Sequence, residues 1–485
     1  MKQTFSDNTL DGIYSKLGKQ SAPAQIPVTN RTPVHVVYGG AHLFKSDTTQ
    51  KLGKIALKSL EIFAPNFARF AQAMWLKGAD TLPHSDKVIA DLEFQLVENA
   101  DKVKRENFPA WSAWTIYQKM SDKLRTEPIE DFRIDFEDGY GIRADEEEDA
   151  HAVSASDELA EAFLRDTITT FSGFRIKSFA PETYRRAIRT LDLFLSNFVE
   201  KSGGKIPANF VVTLPKITRP DEVAALAELL GEFEKQYNLP ISSVKIEIMI
   251  ETPQAIINEK GEIALQNLVE AASGRCAAAH FGAYDYTANF AITATHQNLR
   301  HDACNFARQM MQIALSPLNI RLSDSVTVEI PTPIHRGDNL SGEQTEENFL
   351  AVHTAWRKHF TNVTDSLIDG FYQSWDLHPA QLVPRYAAVY AFFLENSEEQ
   401  GKRLRVFLEK ATQAMLTGNQ FDDAASAQGL LNFFVRALSC GAMTETEVFE
   451  ASGLCKSELD SASFAEIMKN RKKASASNEV DAFVK

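Results

Sequence analysis

Eight short apolar runs, separated by longer stretches with helical periodicity, constrain the fold of this chain more than any other feature. Four consecutive runs begin at residues 171, 209, 244 and 276, which is 32 to 38 residues apart. A barrel of eight strand–helix units uses about 30 residues per unit, and strands that alternate with helices imply a parallel sheet. The sequence therefore predicts an α/β fold, a TIM (β/α)8 barrel. Its predicted strands are VHVVYGG (34–40), DFRIDFED (131–138), FSGFRIKS (171–178), NFVVTLPK (209–216), VKIEIMIE (244–251), CAAAHFGAYD (276–285), SVTVEIPTP (325–333) and GFYQSWDLHP (370–379).

The remaining segments divide the chain around this barrel, which we assign to residues 34–390. The gap between the first two strands is too long for one unit, which predicts an inserted, mostly helical segment at about 64–130. Residues 1–33 are polar and lack a sustained period, so we predict an N-terminal arm. Helical periodicity after the barrel predicts an all-α C-terminal extension over 391–470, followed by a mobile tail at 471–485.

Composition and charge exclude several classes of function. The 485 residues include 51 basic and 65 acidic side chains, for a net charge of −14. An acidic protein is repelled by phosphate backbones and anionic lipids, so we expect neither nucleic acid nor membrane as a partner. The 4 cysteines form no CxxC pair, which indicates a reducing compartment. No apolar run approaches the roughly 20 residues of a membrane helix, and no signal peptide is recognisable, so we predict a cytoplasmic protein.

Charged and polar side chains stand at the carboxyl ends of six predicted strands. In parallel α/β barrels these ends converge on one mouth, where the reactive groups lie. Six such strands make a functional interpretation stronger than any single residue does. The residues are Glu137, Asp138, Arg175, Lys216, Glu251, Asp285 and His378.

Two of these carboxylates have the chemistry of metal ligands. Glu251 and Asp285 end successive strands, so we expect them at adjacent positions on the rim of the barrel. Mg²⁺ takes one or two protein carboxylates and keeps several waters that a substrate can displace. The Arg175 guanidinium can bind a carboxylate or an enolate through two hydrogen bonds. Metal and arginine together can stabilise an enolate, the shared difficulty of aldol, Claisen and decarboxylation chemistry.

The other strand-end residues have a structural interpretation beside a functional one. Glu137 and Asp138 either orient Arg175 and metal-bound water or supply a base, and Asp138 equally fits a turn cap. Lys216 either pairs with a carboxylate or binds substrate. His378 either closes the last strand or contacts substrate.

Six motifs, taken in their order along the chain, resemble those of the HpcH/HpaI aldolase, citrate lyase β-chain and malyl-CoA lyase family. The resemblance covers residues 34–390. It indicates a long variant with an insertion and a helical extension, whose first strand ends in Gly-Gly-Ala-His where the family commonly has Pro-Gly. The motifs are DFEDG (135–139), FRIKS (174–178), LPKI (214–217), MIETPQAIIN (249–258), FGAYDYTANF (281–290) and LHPAQLVP (377–384).

The resemblance implies a carbon–carbon lyase or aldolase of the pyruvate/phosphoenolpyruvate barrel superfamily, usually homo-oligomeric. It implies Mg²⁺, with Mn²⁺ as an alternative, on Glu251 and Asp285, and a substrate carboxylate or enolate on Arg175. The reaction would run through an enolate held at the metal, with Glu137 and Asp138 beside it. The substrate would be a small hydroxy or oxo acid or an acyl-CoA, and both choices stay open.

Two alternatives to a lyase also stay open. The same metal and arginine suit an enzyme that transfers the phosphoryl group of phosphoenolpyruvate. Gly39 and Gly40 could approach a phosphate, which makes Gly40 a candidate substrate contact. The second alternative is a non-catalytic barrel that uses the helical extension as an interface.

Overall fold

The computed structural model describes residues 8, 11, 13, 15, 31–409, 415–417, 420–422 and 424–471. Eight parallel strands close into a barrel in sequence order, with His35 of the first strand opposite Ser374 of the last. The predicted TIM barrel is confirmed. Its strands are β1 (His35–Gly40), β2 (Asp131–Asp135), β3 (Phe171–Arg175), β4 (Phe210–Leu214), β5 (Lys245–Ile250), β6 (Cys276–Phe281), β7 (Arg321–Val326) and β8 (Gln373–Asp376).

Helices cover the outside of the barrel because each places one apolar face on the strands. In Tyr184–Lys201, for example, Ala187, Leu191, Phe194 and Phe198 are all buried. The helices after β2 to β8 are α5 (Asp145–Leu164), α6 (Tyr184–Lys201), α7 (Pro220–Gln236), α8 (Pro253–Ile256), α9 (Leu265–Ala271), α10 (Ala283–Ala288), α11 (Asp302–Leu315), α12 (Gly342–Ile368) and α13 (Leu382–Leu394). Those between β1 and β2 are α1 (Thr48–Phe63), α2 (Phe67–Met74), α3 (Asp86–Glu106) and α4 (Phe108–Thr126).

The segment at 64–130 is helical, and its last helix packs against the outside of the barrel. Helix α4 contacts α1 and α13, and the Tyr386 hydroxyl of α13 donates to the Pro128 carbonyl at 3.0 Å. Asn107 caps α4 by accepting the Ala110 amide at 3.2 Å.

Helix α13 runs to Leu394, past residue 390, before the C-terminal elements begin. These are α14 (Ser397–Glu409), a short antiparallel pair β9 (Met415–Thr417) and β10 (Gln420–Asp422), α15 (Ala424–Ser439), α16 (Glu445–Ser452) and α17 (Lys456–Ser461). The predicted tail at 471–485 lies outside the described residues except for residue 471, and most of the arm at 1–33 also lies outside them. In the described part of the chain, no helix combines the length and apolarity that crossing a membrane requires.

The seventh strand begins and ends earlier than the sequence predicted. The strand is Arg321–Val326, whereas the alternating apolar run at 325–333 lies mostly beyond its carboxyl end. Asp324 is polar yet fully buried, because the Ser366 hydroxyl and the Ser325 amide donate to its carboxylate at 2.6 and 2.9 Å. A strand whose buried residues are hydrogen-bonded polar groups escapes a search for apolar runs.

A buried ionic network crosses the barrel interior. Arg133 forms ion pairs with Asp131 and with Glu247, and all three side chains are fully buried. The His280 imidazole lies 2.8 Å from the Glu247 carboxylate, and its Nδ1 lies 3.1 Å from the Tyr38 hydroxyl. Buried charges are tolerated only when they are paired and hydrogen-bonded, so these strands are held in one register by polar as well as apolar contacts.

Candidate active site

The carboxyl ends of β2, β3 and β4 bring four predicted site residues into direct contact. Arg175 is the last residue of β3, and Glu137 and Asp138 lie in the turn after β2. Arg175 Nη1 lies 3.2 Å from the Glu137 carboxylate and 3.6 Å from that of Asp138. Lys216, just beyond β4, pairs with Glu137 through Nζ and lies 3.0 Å from Asp138. Two cations and two carboxylates therefore alternate on one side of the mouth.

Asp135, which the sequence interpretation did not single out, holds the Arg175 guanidinium in place. Its carboxylate accepts from Nε at 2.7 Å and from Nη2 at 2.6 Å, and the two side chains are 1% and 4% exposed. The backbone amides of Glu137 and Gly139 donate to the same carboxylate at 3.0 and 2.8 Å. A bidentate pair fixes the plane of the guanidinium, so Nη1 is left directed toward Glu137.

Two aromatic rings flank the same guanidinium. The Arg175 guanidinium carbon lies 5.0 Å from the Tyr38 ring centre and 5.9 Å from that of Trp375. The two rings stack on each other with centres 4.3 Å apart. A cation over an aromatic face is stabilised by the ring quadrupole, so Tyr38 and Trp375 add a second restraint on Arg175.

Glu251 follows β5 directly and is held by the backbone after β4. It is 1% exposed, and Oε1 accepts the Lys216 amide hydrogen at 2.6 Å. Lys216 has a φ of 52°, a left-handed conformation that non-glycine residues rarely adopt. A Cβ on Gly282 would lie 2.5 Å from Glu251 Oε2, so a side chain at position 282 would displace this carboxylate.

Glu251 and Asp285 are two carboxylates that form no ion pair among the described residues, although the charges of Arg175 and Lys216 act on Glu251 from a distance. Asp285 lies in the first turn of α10, and neither acid makes an ion pair with a described residue. Burial, reinforced by the charge of Asp285, raises the pKa of Glu251 to about 8. Two acids that repel each other in a buried site are the arrangement that a divalent cation would relieve.

The donor set fits Mg²⁺ with a partly open coordination shell. Among the described residues, no group of three or more His, Cys, Asp or Glu side chains could hold a metal ion. A cation at Glu251 and Asp285 would therefore have two protein carboxylates and would complete its shell with water or substrate. Mg²⁺ commonly binds in this way, keeping several waters beside one or two carboxylates.

Gly40 and His378 make contacts within the protein that explain these residue types without a bound ligand. A Cβ on Gly40 would lie 2.5 Å from the Gly139 carbonyl oxygen, so packing of the β1 end against the β2 turn requires glycine there. His378 Nδ1 accepts the Ala380 amide at 3.1 Å and caps the turn after β8. No described hydrogen bond or ion pair joins either residue to the cluster around Arg175, and their roles in substrate binding stay predictions.

Comparison with known proteins assigns the chain to a family. A family model described as a domain of unknown function (DUF6986) matches residues 20–467. The chain belongs to the DUF6986 family. A search of curated proteins finds no match.

Solved structures similar to this DUF6986 protein include lyases and synthases. A citrate lyase from Burkholderia xenovorans LB400 is 18% identical, with a TM-score of 0.49 over 69% of this chain and 91% of that chain. CitE from Mycobacterium tuberculosis, in complex with magnesium, acetoacetate and coenzyme A, is 15% identical, with a TM-score of 0.43 over 66% and 94%. Haloferax volcanii malate synthase, as a magnesium/glyoxylate complex, is 16% identical, with a TM-score of 0.40 over 57% and 70%. Similarities at this level assign no activity.

The sequence analysis did not identify three residues that contact Arg175, because residues of these types are also common in strands that have no catalytic role. Asp135 of β2 is paired with Arg175 of β3 in the ladder. An acid and an arginine at matching positions of successive predicted strands could therefore have indicated this contact from sequence. Tyr38 and Trp375 look like common strand aromatics. Their pairing arises only because β1 and β8 are neighbours in the closed barrel of the DUF6986 protein.

The electrostatics of Glu137 differ from those of its neighbour Asp138. Burial raises the pKa of Glu137 to about 7; the Arg175 charge opposes this rise and Asp138 reinforces it. The pKa of Asp138 is lowered: burial opposes the shift, but the hydrogen bond with Glu137 and the Arg175 charge outweigh it. Their side chains are 10% and 56% exposed. Of the two, Glu137 is the carboxylate able to take up or release a proton near neutral pH.

We expect the stability of the metal-free DUF6986 protein to fall as the pH rises from about 5 to 8. The pKa of Glu251 lies at about 8 in the folded protein, against an ordinary value of 4.5. Between these values the folded protein holds a proton that the unfolded chain has released. The free energy of unfolding should therefore decrease with pH, by up to about 1.4 kcal/mol per unit, and level off above the folded pKa. Denaturant unfolding in chelator measures this slope.

The matched variant for this prediction is Glu251→Gln, which removes the titrating group without changing its shape. Glu137, with its pKa at about 7, should also make the free energy of unfolding decrease with pH, but its contribution levels off at a lower pH than that of Glu251. Asp138 does not contribute in this range, because its lowered pKa places its transition below the ordinary value of 3.8. An unchanged slope in Glu251→Gln would contradict the assignment of the titration to this residue.

Proposed function

We propose that this protein is a Mg²⁺-dependent carbon–carbon lyase or aldolase, similar in chemistry to the β-chain of citrate lyase. The observation that supports this is the pair of the buried Glu251 and the half-buried Asp285, which forms no ion pair with a described residue, in the same barrel mouth as the clamped Arg175. The sequence motifs that carry these residues support it independently. The substrate would be a small hydroxy or oxo acid or an acyl-CoA.

Arg175 would bind the oxygen on which negative charge develops. Its Nε and Nη2 are occupied by Asp135, so Nη1, which lies beside Glu137, is the group left to donate to a substrate carboxylate or enolate oxygen. The guanidinium is already oriented and largely excluded from water, so little reorganisation is needed when the charge forms. Tyr38 and Trp375 hold its face and exclude water from that side.

Glu251 and Asp285 would hold Mg²⁺. When bound, the metal would act as a Lewis acid that polarises a carbonyl oxygen of the substrate. Glu251 is oriented for this role by the Lys216 amide, and Gly282 leaves room for its carboxylate. Mn²⁺ favours the same oxygen ligands and is expected to substitute.

Glu137 would carry the proton. In the cleavage direction its carboxylate accepts the proton of the substrate hydroxyl, the carbon–carbon bond breaks, and the bonding electron pair moves into the enolate. The same proton then returns to the enolate carbon, which restores the carboxylate. A pKa of about 7 suits both halves of this cycle, and Lys216 positions Glu137 through their ion pair.

The experiment that tests this function is the exchange of methyl protons in D₂O, followed by proton NMR. Pyruvate and acetyl-CoA are offered separately with Mg²⁺, because enolate formation exchanges their methyl protons without the need for an acceptor. We expect exchange with one of them, and a loss of at least about 100-fold in Arg175→Lys, since lysine cannot form the bidentate pair with Asp135.

Arg165→Lys is the matched control, because Arg165 is an exposed arginine paired with Glu161 on α5. Its exchange rate should equal that of the wild type. Absence of exchange with both compounds, or exchange that Arg175→Lys leaves unchanged, would refute the proposal. Release of phosphate from phosphoenolpyruvate without exchange would instead favour the phosphoryl-transfer alternative.

The homo-oligomeric state and the cytoplasmic location form part of the same proposal and rest on the sequence. A measurement of mass in solution tests the first, and cell fractionation tests the second.

A further inference from the structure

A second cavity lies at the amino ends of β7 and β8, the opposite end of the barrel from Arg175. It has a volume of about 210 Å³. Its polar lining comes mainly from Arg31, Arg321, Arg436, Tyr372 and Asn319. Among the described residues, no aspartate or glutamate lines it. The chain has a net charge of −14, whereas this cavity is lined by three arginines and by no described acid, so its lining is locally basic.

Arg321, the first residue of β7, has its charge largely unsatisfied. Its Nε donates to Gln373 Oε1 at 3.1 Å, and its guanidinium carbon lies 4.9 Å from the Phe171 ring centre. No described carboxylate forms an ion pair with it, and Nη1 and Nη2 have no described hydrogen-bond partner. Burial, only partly offset by the more distant Asp131 and Glu247, lowers its pKa.

Arg436 projects from α15 into the same cavity and is also without a carboxylate partner. Its guanidinium carbon lies 4.9 Å from the Tyr372 ring centre, and no described residue accepts a hydrogen bond from the guanidinium. Arg31, the third arginine of this cavity, differs from Arg321 and Arg436 because it has carboxylate partners. It is neutralised by Glu127 at 2.6 Å and by Glu130 at 2.9 Å. The two unneutralised charges are therefore those of Arg321 and Arg436.

We propose that this cavity binds a compact oxyanion with two negative charges, either the phosphate group of a small metabolite or a small dicarboxylate. Two guanidinium groups without acidic partners supply the matching charge and several N–H donors for planar or tetrahedral oxyanions. A half-buried guanidinium without a carboxylate partner loses hydration that nothing replaces, and an anion bound to Arg321 and Arg436 would reduce that cost. The volume fits about seven waters by their share of liquid volume, which suits a ligand of this size.

The site is separate from the proposed active site. Arg175 and Lys216 lie at the carboxyl ends of β3 and β4, whereas Arg321 opens β7 at its amino end. The proposal therefore does not depend on the lyase assignment, and the two can be tested on different variants.

The test is isothermal titration calorimetry of the full chain with inorganic phosphate and, separately, with malonate, at constant ionic strength. Constant ionic strength is needed because added salt screens the attraction between an anion and the arginines. We expect one saturable site for at least one anion. In Arg321→Gln and in Arg436→Gln the dissociation constant should rise at least tenfold. A response to phosphate points to a phosphorylated metabolite, and a response to malonate alone points to a dicarboxylate.

The controls separate this site from other arginines. Arg185→Gln removes an exposed arginine that also lies over a tyrosine, 5.6 Å from the Tyr184 ring centre, and should leave binding unchanged. Arg175→Lys should also leave it unchanged. Arg436 is only half-buried on a helix, so Arg436→Gln keeps the test valid if Arg321→Gln does not fold. Absence of saturable binding, equal affinity in Arg436→Gln, or loss of binding in Arg175→Lys would each overturn the proposal.

Discussion

Replacement of Asp135 by asparagine is expected to lower the free energy of unfolding by roughly 3–5 kcal/mol, the range for breaking a buried ion pair. Asp135 accepts two hydrogen bonds from Arg175 and one each from the amides of Glu137 and Gly139. Asparagine removes the charge and directs an NH₂ group at donors. Among the described carboxylates, the buried guanidinium of Arg175 would then keep only those of Glu137 and Asp138, at longer distances. Denaturant unfolding at neutral pH measures the loss.

The matched control is Asp122→Asn. Asp122 also accepts a hydrogen bond from an arginine, Arg125, at 3.2 Å, but both side chains are exposed on α4. Exposed ion pairs contribute about 0–1 kcal/mol, so this variant should remain close to the wild type. An equal decrease in the free energy of unfolding in the two variants would contradict the prediction that burial makes the Asp135–Arg175 pair more stabilising than an exposed pair.

Replacement of Asp285 by alanine is expected to abolish both Mg²⁺ binding and turnover. One of only two protein carboxylates would be lost, and we expect methyl-proton exchange to fall by about 1,000-fold or more. Mg²⁺ at about 100 times its dissociation constant should stabilise the wild type by about 2.7 kcal/mol by mass action. It should not stabilise Asp285→Ala. Thermal unfolding with and without Mg²⁺ measures this difference.

The same substitution should make the metal-free protein more stable at pH 8. Asp285 helps to raise the pKa of Glu251, so its removal relieves repulsion within a buried site. This gain separates loss of the metal site from loss of the fold. Asp302→Ala, which removes an exposed acid from the first turn of α11, is the control and should keep its response to Mg²⁺. Retained turnover in Asp285→Ala would eliminate the metal assignment.

Much of the fold could be predicted because strand and helix periodicities differ locally. The run around Val212 is mostly apolar on both faces, as buried parallel strands require, and the run around Ile248 has isoleucine at every second position. The seventh strand was misplaced because its buried central residues, including Asp324, are polar. The Asp324 carboxylate accepts from Ser366, on a helix 42 residues away, so no local pattern could reveal that it is buried.

The site at the mouth of the barrel could also be predicted only in part from the sequence. Charged residue types at strand ends are visible in sequence, and barrel topology makes them converge. The sequence does not reveal that Asp135 rather than Glu137 binds Arg175 bidentately, since both acids occur in one short motif. The parallel register decides this, because it pairs Asp135 with Arg175 across β2 and β3, whereas Glu137 lies beyond the end of β2.

The order of strands and helices, and the types of side chain at the strand ends, were determined by sequence alone, because they follow from local periodicity and chain connectivity. Which charges neutralise one another was decided only by the tertiary structure. The pairing of Arg175 with Asp135, and the lack of a carboxylate partner for Arg321 and Arg436 among the described residues, depend on contacts between segments far apart in the chain. Electrostatic energy depends on distance and burial in space, and a linear pattern contains neither.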